Sequence, residues 1–412
     1  MTSSHGSKFS TVTVVPDENM QTIRANVTDY AKTNTKKTKR CVYCFCCFYF
    51  RHVIVYRYPN RRCLAKVLIA LCILIIIIIT IILALLLTRV RVKKSNKEAI
   101  LRWNSTGITV AGVTGQYGNT LNKLSTPRGI GLDWSNALYI ADLDNHRIQK
   151  YSKNVLVGET VAGQSSGITG AGDDFLSYPH DVVVDLNEGV FVADTYNHRI
   201  QLWTRGSSVG TTIAGTTGVA GNSSDKFNFP YGIAYDSITG GIYISDTRNY
   251  RIMYYPAGAR NGTVVAGGNG QGLNNDQLGF QQSVYHDAVT NSLFIPQCDT
   301  NNIIQWSVGA SNWTLVAGYL NGAISSSSNG FSCARDVTLD PMGNIYVADR
   351  DNRRIQFFSI GQSNGTTIAG ITGITGANAS LLMGPVSVVL DTQLNLYISD
   401  YANNRIQKFM RY

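Results

Sequence analysis

The sequence predicts an all-β protein, a six-bladed β-propeller preceded by a single transmembrane α-helix and a basic N-terminal tail. Three observations lead there. The motif "YIADLDNHRIQ" and five altered copies of it stand between residues 105 and 412. Short β-branched and aromatic runs bounded by Gly, Asp and Asn fill the same region and read as strands joined by turns. An unbroken apolar run stands ahead of all of it.

The elements follow in chain order. Residues 1–66 form a tail rich in Lys and Arg. Residues 1–103 hold 18 Lys and Arg against 4 Asp and Glu, and residues 104–412 hold 18 against 22, so the net +10 of the chain belongs to its first quarter. From Val67 to Thr88 run 22 uncharged residues, as a helix about 33 Å long against a hydrocarbon core of about 30 Å. The run is too long and begins too late for a signal peptide, and it leads into "RVRVKK" instead of a small-residue cleavage site. It is read as spanning the membrane. Five basic residues flank it on the N-terminal side and six on the C-terminal side, so proximal charge leaves orientation tied. Seven further basic residues in the tail favour a cytoplasmic N-terminus and an exoplasmic C-terminal domain. Residues 89–104 form a brief stalk.

In the repeats the central asparagines are Asn145, Asn197, Asn249, Asn301, Asn352 and Asn403, in steps of 52, 52, 52, 51 and 51. A fixed period near fifty marks a repeat architecture. Each unit adds an earlier strand such as "TPRGIGLD" and a later one such as "TTIAG", so six units of four strands make a propeller. The region begins on a "VAG" strand and ends after a third strand. Residues 108–112 are therefore expected to complete the sheet begun by residues 385–411, closing the ring and pairing its edges.

These repeats resemble the NHL-repeat family, whose mark is a glycine or proline strand followed by "vaDt.N.rIq". The resemblance covers residues 105–412 and implies a six-bladed propeller. It implies no single activity, because one fold hosts unrelated functions.

Asp142, Asp194, Asp246, Asp349 and Asp400 share one repeat position, and Arg147, Arg199, Arg251, Arg354 and Arg405 another. Five copies argue for corner-building: the Asp is expected to accept N–H bonds from residues just after it, and the Asn to hold the turn's awkward dihedral. His146 and His198 fall at turn positions that Tyr250, Arg353 and Asn404 fill in other units. Glycine runs such as "GITGITG" (370–376) lack the following helix that a dinucleotide site needs, and read as turns.

The informative positions are those that differ between blades. The residue after the Pro of the first strand is Arg128, His180, Tyr231, Gln282, Arg335 or Val386, a polar, irregular ring expected to line one mouth of the central channel. Arg128, His180, Tyr231, Gln282 and Arg335 are the candidate ligand-binding residues. His180 resembles a metal-binding position of peptide-amidating lyase propellers, but its equivalents are not His and His286 aligns several places along, so no metal site or cofactor is expected. Other NHL proteins bind RNA through a basic face. The net −4 of residues 104–412 argues against nucleic acid as partner, with Arg350, Arg353 and Arg354 as the one local basic patch.

Cys298 and Cys333 stand where units four and five depart from the pattern and are expected to form a disulfide, which suits an oxidising compartment. Asn104, Asn222, Asn261, Asn312, Asn364 and Asn378 head glycosylation sequons, about as many as chance supplies. In the tail, Cys41, Cys44, Cys46 and Cys47 lie among Phe and Tyr and suggest S-acylation as readily as unmodified thiols, and metal binding less so. Together these readings describe a single-pass membrane protein presenting its propeller as an exoplasmic binding or adhesion module. Its partners are the bilayer and an unidentified protein, peptide or glycan. A hydrolase or lyase at the channel mouth stays open as an enzymatic alternative, and a cytosol-facing scaffold as a topological one.

Overall fold

The computed structural model of the chain describes residues 73–79 and 101–412. Residues 73–79 are helical and fall inside the expected span. Among the described residues no helix is long and apolar enough to cross a membrane. The tail with Cys41, Cys44, Cys46 and Cys47, the remainder of residues 67–88 and residues 89–100 lie outside the described residues.

Residues 101–412 form six four-stranded antiparallel sheets. Blade 1 comprises Pro127–Leu132, Leu138–Asp142, Arg147–Tyr151 and Glu159–Gly163, and blade 2 Pro179–Val184, Val190–Asp194, Arg199–Trp203 and Thr211–Gly215. Blade 3 comprises Pro230–Tyr235, Ile242–Asp246, Arg251–Tyr255 and Thr263–Gly267. Blade 4 comprises Tyr285–Asp287, Ser292–Gln297, Asn302–Ser307 and Thr314–Gly318, and blade 5 Ala334–Leu339, Ile345–Asp349, Arg354–Phe358 and Thr366–Gly370. Blade 6 is Pro385–Leu390, Leu396–Asp400 and Arg405–Phe409, completed by Ile108–Gly112, which pairs with Arg405–Phe409. The expected ring closure is present.

Second strands such as "LYIAD" and "IYVAD" are buried at every position, without the alternation of a one-sided sheet. The cause is blade stacking. One apolar cluster joins blades 1 and 2 through Tyr139, Val182 and Trp203, and another joins blades 4 and 5 through Phe294, Phe331 and Phe358. Each sheet thus has both faces covered by its neighbours, and β-branched and aromatic residues serve on either side.

The packed unit also reaches into the expected stalk. Trp103 is buried against Tyr346, Phe357 and Phe409 between blades 5 and 6, and its indole N–H donates to the Leu394 carbonyl at 2.8 Å. The repeat-equivalent space between blades 4 and 5, beside Phe294, Gln305, Leu339 and Gly343, is an open groove of about 800 Å³.

Candidate functional site at the channel mouth

The corners come first, because they set the ring that positions the channel. In blade 1, Asp142 Oδ1 accepts the Ser125 N–H at 2.7 Å, and its Oδ2 accepts from Asn145 Nδ2 and Arg147 Nε at 2.8 Å each. The Arg147 head group donates onward to the carbonyls of Asn119, Thr120 and Lys123. The same network surrounds Asp194, Asp246, Asp349 and Asp400. This corrects one expectation: the backbone donor lies 17 residues before the Asp, in the segment leading to the first strand, and not just after it. The corner therefore ties the second strand to the chain arriving from the preceding blade.

The left-handed residue is the one after the Asn: His146, His198, Tyr250, Arg353 and Asn404 have φ between 50° and 61°. In blade 4 that place belongs to Asn301 (φ 49°), so the residue at the central-asparagine position is Thr300, one place earlier than the spacing suggested. Gln297 and Asn302 replace the Asp and Arg there and bond to each other at 2.9 Å. Beside this altered corner Cys298 and Cys333 form the expected disulfide, their Cα atoms 3.8 Å apart.

His146 and His198 do more than turn the chain. Their Nδ1 atoms accept the N–H of Tyr178 and Phe229, which lead into the next blade's first strand. Asn301 and Asn404 make the same link to Cys333 and Thr126. Burial lowers the pKa of both imidazoles, in keeping with neutral rings accepting at Nδ1. The basic patch expected from Arg350, Arg353 and Arg354 does not form: Arg354 is buried in its corner with Asp349, and the other two pair with Asp351.

The channel itself depends on a bulge. Each inner strand of blades 1, 2 and 3 breaks register after its Pro, as between Pro127 and Ile130. A bulge re-aims side chains, so two consecutive residues face the channel instead of one. A small cavity of about 30 Å³ is lined by Arg128, His180, Gln282, Arg335 and Val386 in one layer and by Gly129, Asp181, Ser283, Asp336 and Ser387 in the next. Tyr231 stacks on His180, centroids 4.0 Å apart. Five blades' predicted residues thus share one cavity, and the sixth packs against it.

Arg128 lies 4.4 Å from the Tyr401 ring centroid, while its buried Nε and Nη1 have no acceptor among the described residues. Arg335 is only 9% exposed. Burial, together with the positive charge of Arg350 beside both, lowers both guanidinium pKa values, and Arg128 adds to the effect on Arg335. A guanidinium does not lose its proton in a protein, so the direction measures charge left without a counter-charge. His180 is pushed well below its ordinary value by burial and then by Arg128 and Arg335, and is neutral.

Asp181 and Asp336 come from opposite blades, and the single-column alignment of the sequence missed them. Asp336 accepts from Ser283 Oγ at 2.6 Å, Ser387 Oγ at 2.7 Å, and the Val388 and Val337 N–H groups at 2.9 Å. Asp181 accepts only the Ile233 and Val182 N–H groups. Burial and the neighbouring Asp336 push Asp181 up to about 8; burial raises Asp336 too, against its four donors. Asp181, with fewer donors than Asp336, is the carboxyl that burial and its acidic neighbour keep protonated at neutral pH. A signal was present: Asp at this column stands among Gly129, Gly232, Ser283 and Ser387 in other blades. Among the described residues no group of three or more His, Cys, Asp or Glu is placed to hold a metal ion, and His286 lies apart, against Asn291 and Tyr243. The six sequon asparagines are all exposed.

The family model described as NHL repeat matches residues 124–151, 176–202, 331–358 and 382–409, in blades 1, 2, 5 and 6. No curated protein matches the chain. Among solved structures, a protein of unknown function from Bacteroides thetaiotaomicron VPI-5482 aligns at 15% identity and a TM-score of 0.59, over 74% of this chain and 76% of that one. An auxiliary nutrient binding protein from the same organism aligns at 17% and 0.57, over 76% and 77%. A gluconolactonase from Xanthomonas campestris aligns at 10% and 0.51, over 74% and 97%. At these identities the likeness is one of fold. With four matched repeats and six blades closed into a ring, the chain is an NHL-repeat six-bladed β-propeller.

Proposed function

We propose that the chain is a single-pass membrane protein whose propeller is an exoplasmic binding module, taking the anionic group of a protein, peptide or glycan ligand at the channel mouth. The observation that carries this reading is Arg128: a buried guanidinium with two nitrogens lacking acceptors among the described residues, beside Arg335, which is itself largely buried and lines the same cavity. A buried donor without a partner costs about 1–3 kcal/mol, more when charged. A carboxylate or sulfate seated between the two arginines would remove that cost and gain charge-assisted bonds. The 30 Å³ cavity admits such a terminal group and no larger body, so the remainder of the ligand lies over the mouth. The Cys298–Cys333 disulfide supports the oxidising side of the membrane over a cytosol-facing scaffold.

A hydrolase or lyase at the same mouth has one observation in its favour, the two buried carboxyls Asp181 and Asp336 that line the cavity in the layer next to the arginines, with Asp181 raised to about 8. Both carboxylates are committed to backbone or serine donors, which favours binding over turnover.

Two measurements test the reading. Replacing Arg128, Tyr231 and Arg335 together should abolish capture of a ligand found by surface screening, and retained capture moves the site off the channel. Glycan mapping on intact cells should find sugar at Asn222 or Asn378, on the face that carries the mouth; bare asparagines with free Cys298 and Cys333 thiols place the domain in the cytosol.

A further inference from the structure

In an antiparallel blade, the turns joining the first to the second strand and the third to the fourth lie on one face of the ring, opposite the corners and the channel mouth. That face carries an apolar residue at the tip of the first turn in five blades: Trp134, Leu186, Ile238, Val289 and Met342. All five are exposed, Trp134 at 70% and Val289 at 93%. Single exposed apolar residues are ordinary; these five occupy one repeat position and so share one face of the ring. The groove of about 800 Å³ beside Met342 opens among the same turns.

Two further observations name the occupant. The charged residues in the third-to-fourth-strand turns and at the chain end beside them are Arg102, Lys153, Arg205, Arg260 and Arg411, all basic and all exposed. Among the acidic residues of the first turns, Asp133 and Asp340 cap backbone N–H groups, and Glu188 pairs with Lys150 and with Arg205 at 3.2 Å each, so Arg102, Lys153, Arg260 and Arg411 are the basic residues of this face without a salt bridge among the described residues. The chain also arrives here: Ile108–Gly112 is a fourth strand and starts from this face, with Trp103 seated just before it. Only twelve residues separate Leu101 from Thr88, the end of the apolar run, a tether of at most about 45 Å.

We infer that this face rests on the bilayer, with the five apolar tips in the interfacial layer and the basic turns against anionic headgroups, so that the channel mouth points away from the membrane. Apolar tips rimmed by Lys and Arg are the chemistry of interfacial binding. The inference rests on the reading of residues 67–88 as a membrane span, and adds a second, non-spanning contact to it.

Trp134 is the one exposed tryptophan of the chain's five, since Trp103, Trp203, Trp306 and Trp313 are buried. The full chain is reconstituted into phosphatidylcholine–phosphatidylserine vesicles with and without brominated acyl chains. Brominated lipid is expected to quench a blue-shifted part of the tryptophan emission that is missing from Trp134→Phe. Replacing Leu186, Ile238, Val289 and Met342 with Ser should remove the quenching while the chain still resists alkaline carbonate extraction. A carbonate-resistant chain with equal emission in both lipids overturns the inference and leaves the span intact. Release by carbonate overturns the span, and the inference with it. Glycans filling Asn261, Asn312 and Asn364, in the outer turns of this face, also overturn it, as does Trp134 buried by a second copy in lipid-free detergent.

Discussion

Arg199 is buried with Asp194 at 2.7 Å and donates to the Gly172 carbonyl at 2.7 Å, with the exposed Asp173 carboxylate farther off at 3.8 Å, so its charge is held by one buried carboxylate, one exposed one and the chain of the preceding connection. Removing one partner of a buried pair leaves the other charged and alone, which costs about 3–5 kcal/mol. Arg199→Met is expected to lower unfolding stability by that amount in denaturant titrations; an unchanged midpoint would show that the corner is dispensable. Asp181 behaves oppositely. Its folded pKa of about 8 stands above that of an unfolded aspartate, so the native state holds this proton more tightly. That contribution to stability is complete below about pH 4, declines above it, and is lost as pH rises through about 8. Asp181→Asn cannot ionise, so its melting temperature should gain on the unaltered chain from about pH 5 to about pH 9; parallel curves would show that Asp181 is ionised throughout. The repeated corner residues were legible because five copies expose a structural role. The second channel layer was not, because a strand's two-residue period turns Asp181 away from the channel and only the bulge returns it.

At the level of strands and blades, the order of the four strand types around the repeat was readable from the motif, and so was the need for Ile108–Gly112 to finish blade 6. Its pairing with Arg405–Phe409 places the chain's two ends in one sheet. Deleting "ITVAG" exposes the edge of Arg405–Phe409 and uncovers Ile406, which packs with Ala111 and Leu124. A lowered, broadened melting transition of the entire propeller is expected by calorimetry, and a transition unaltered by the deletion contradicts ring closure through this strand. Blade 4 shows where reading by motif slips. With Asp and Arg replaced by Gln297 and Asn302, the pattern no longer distinguished Thr300 from Asn301, and φ at Asn301 settles the register. The stalk boundary slipped for a related reason. Trp103 belongs to no repeat, and its burial depends on a gap between blades 5 and 6 that exists only once the ring is closed.

The propeller has two faces, one bearing the corners and the arginine-lined mouth, the other the first-turn tips and the basic turns, and exposed apolar residues occur on both. The sequence by itself determined the blade number, the strand order, the closing strand and the residues of the first channel layer. All of these follow from periodicity and from counting edges that must pair. Only the tertiary structure decided that two layers of side chains meet in the channel, that Asp181 and Asp336 enter it from opposite blades, that the left-handed histidines bond to the next blade, and that five turn residues share one face. Those are relations between residues 31 or more positions apart. They arise from bulges and circular stacking, which convert equal steps along the chain into common positions in space.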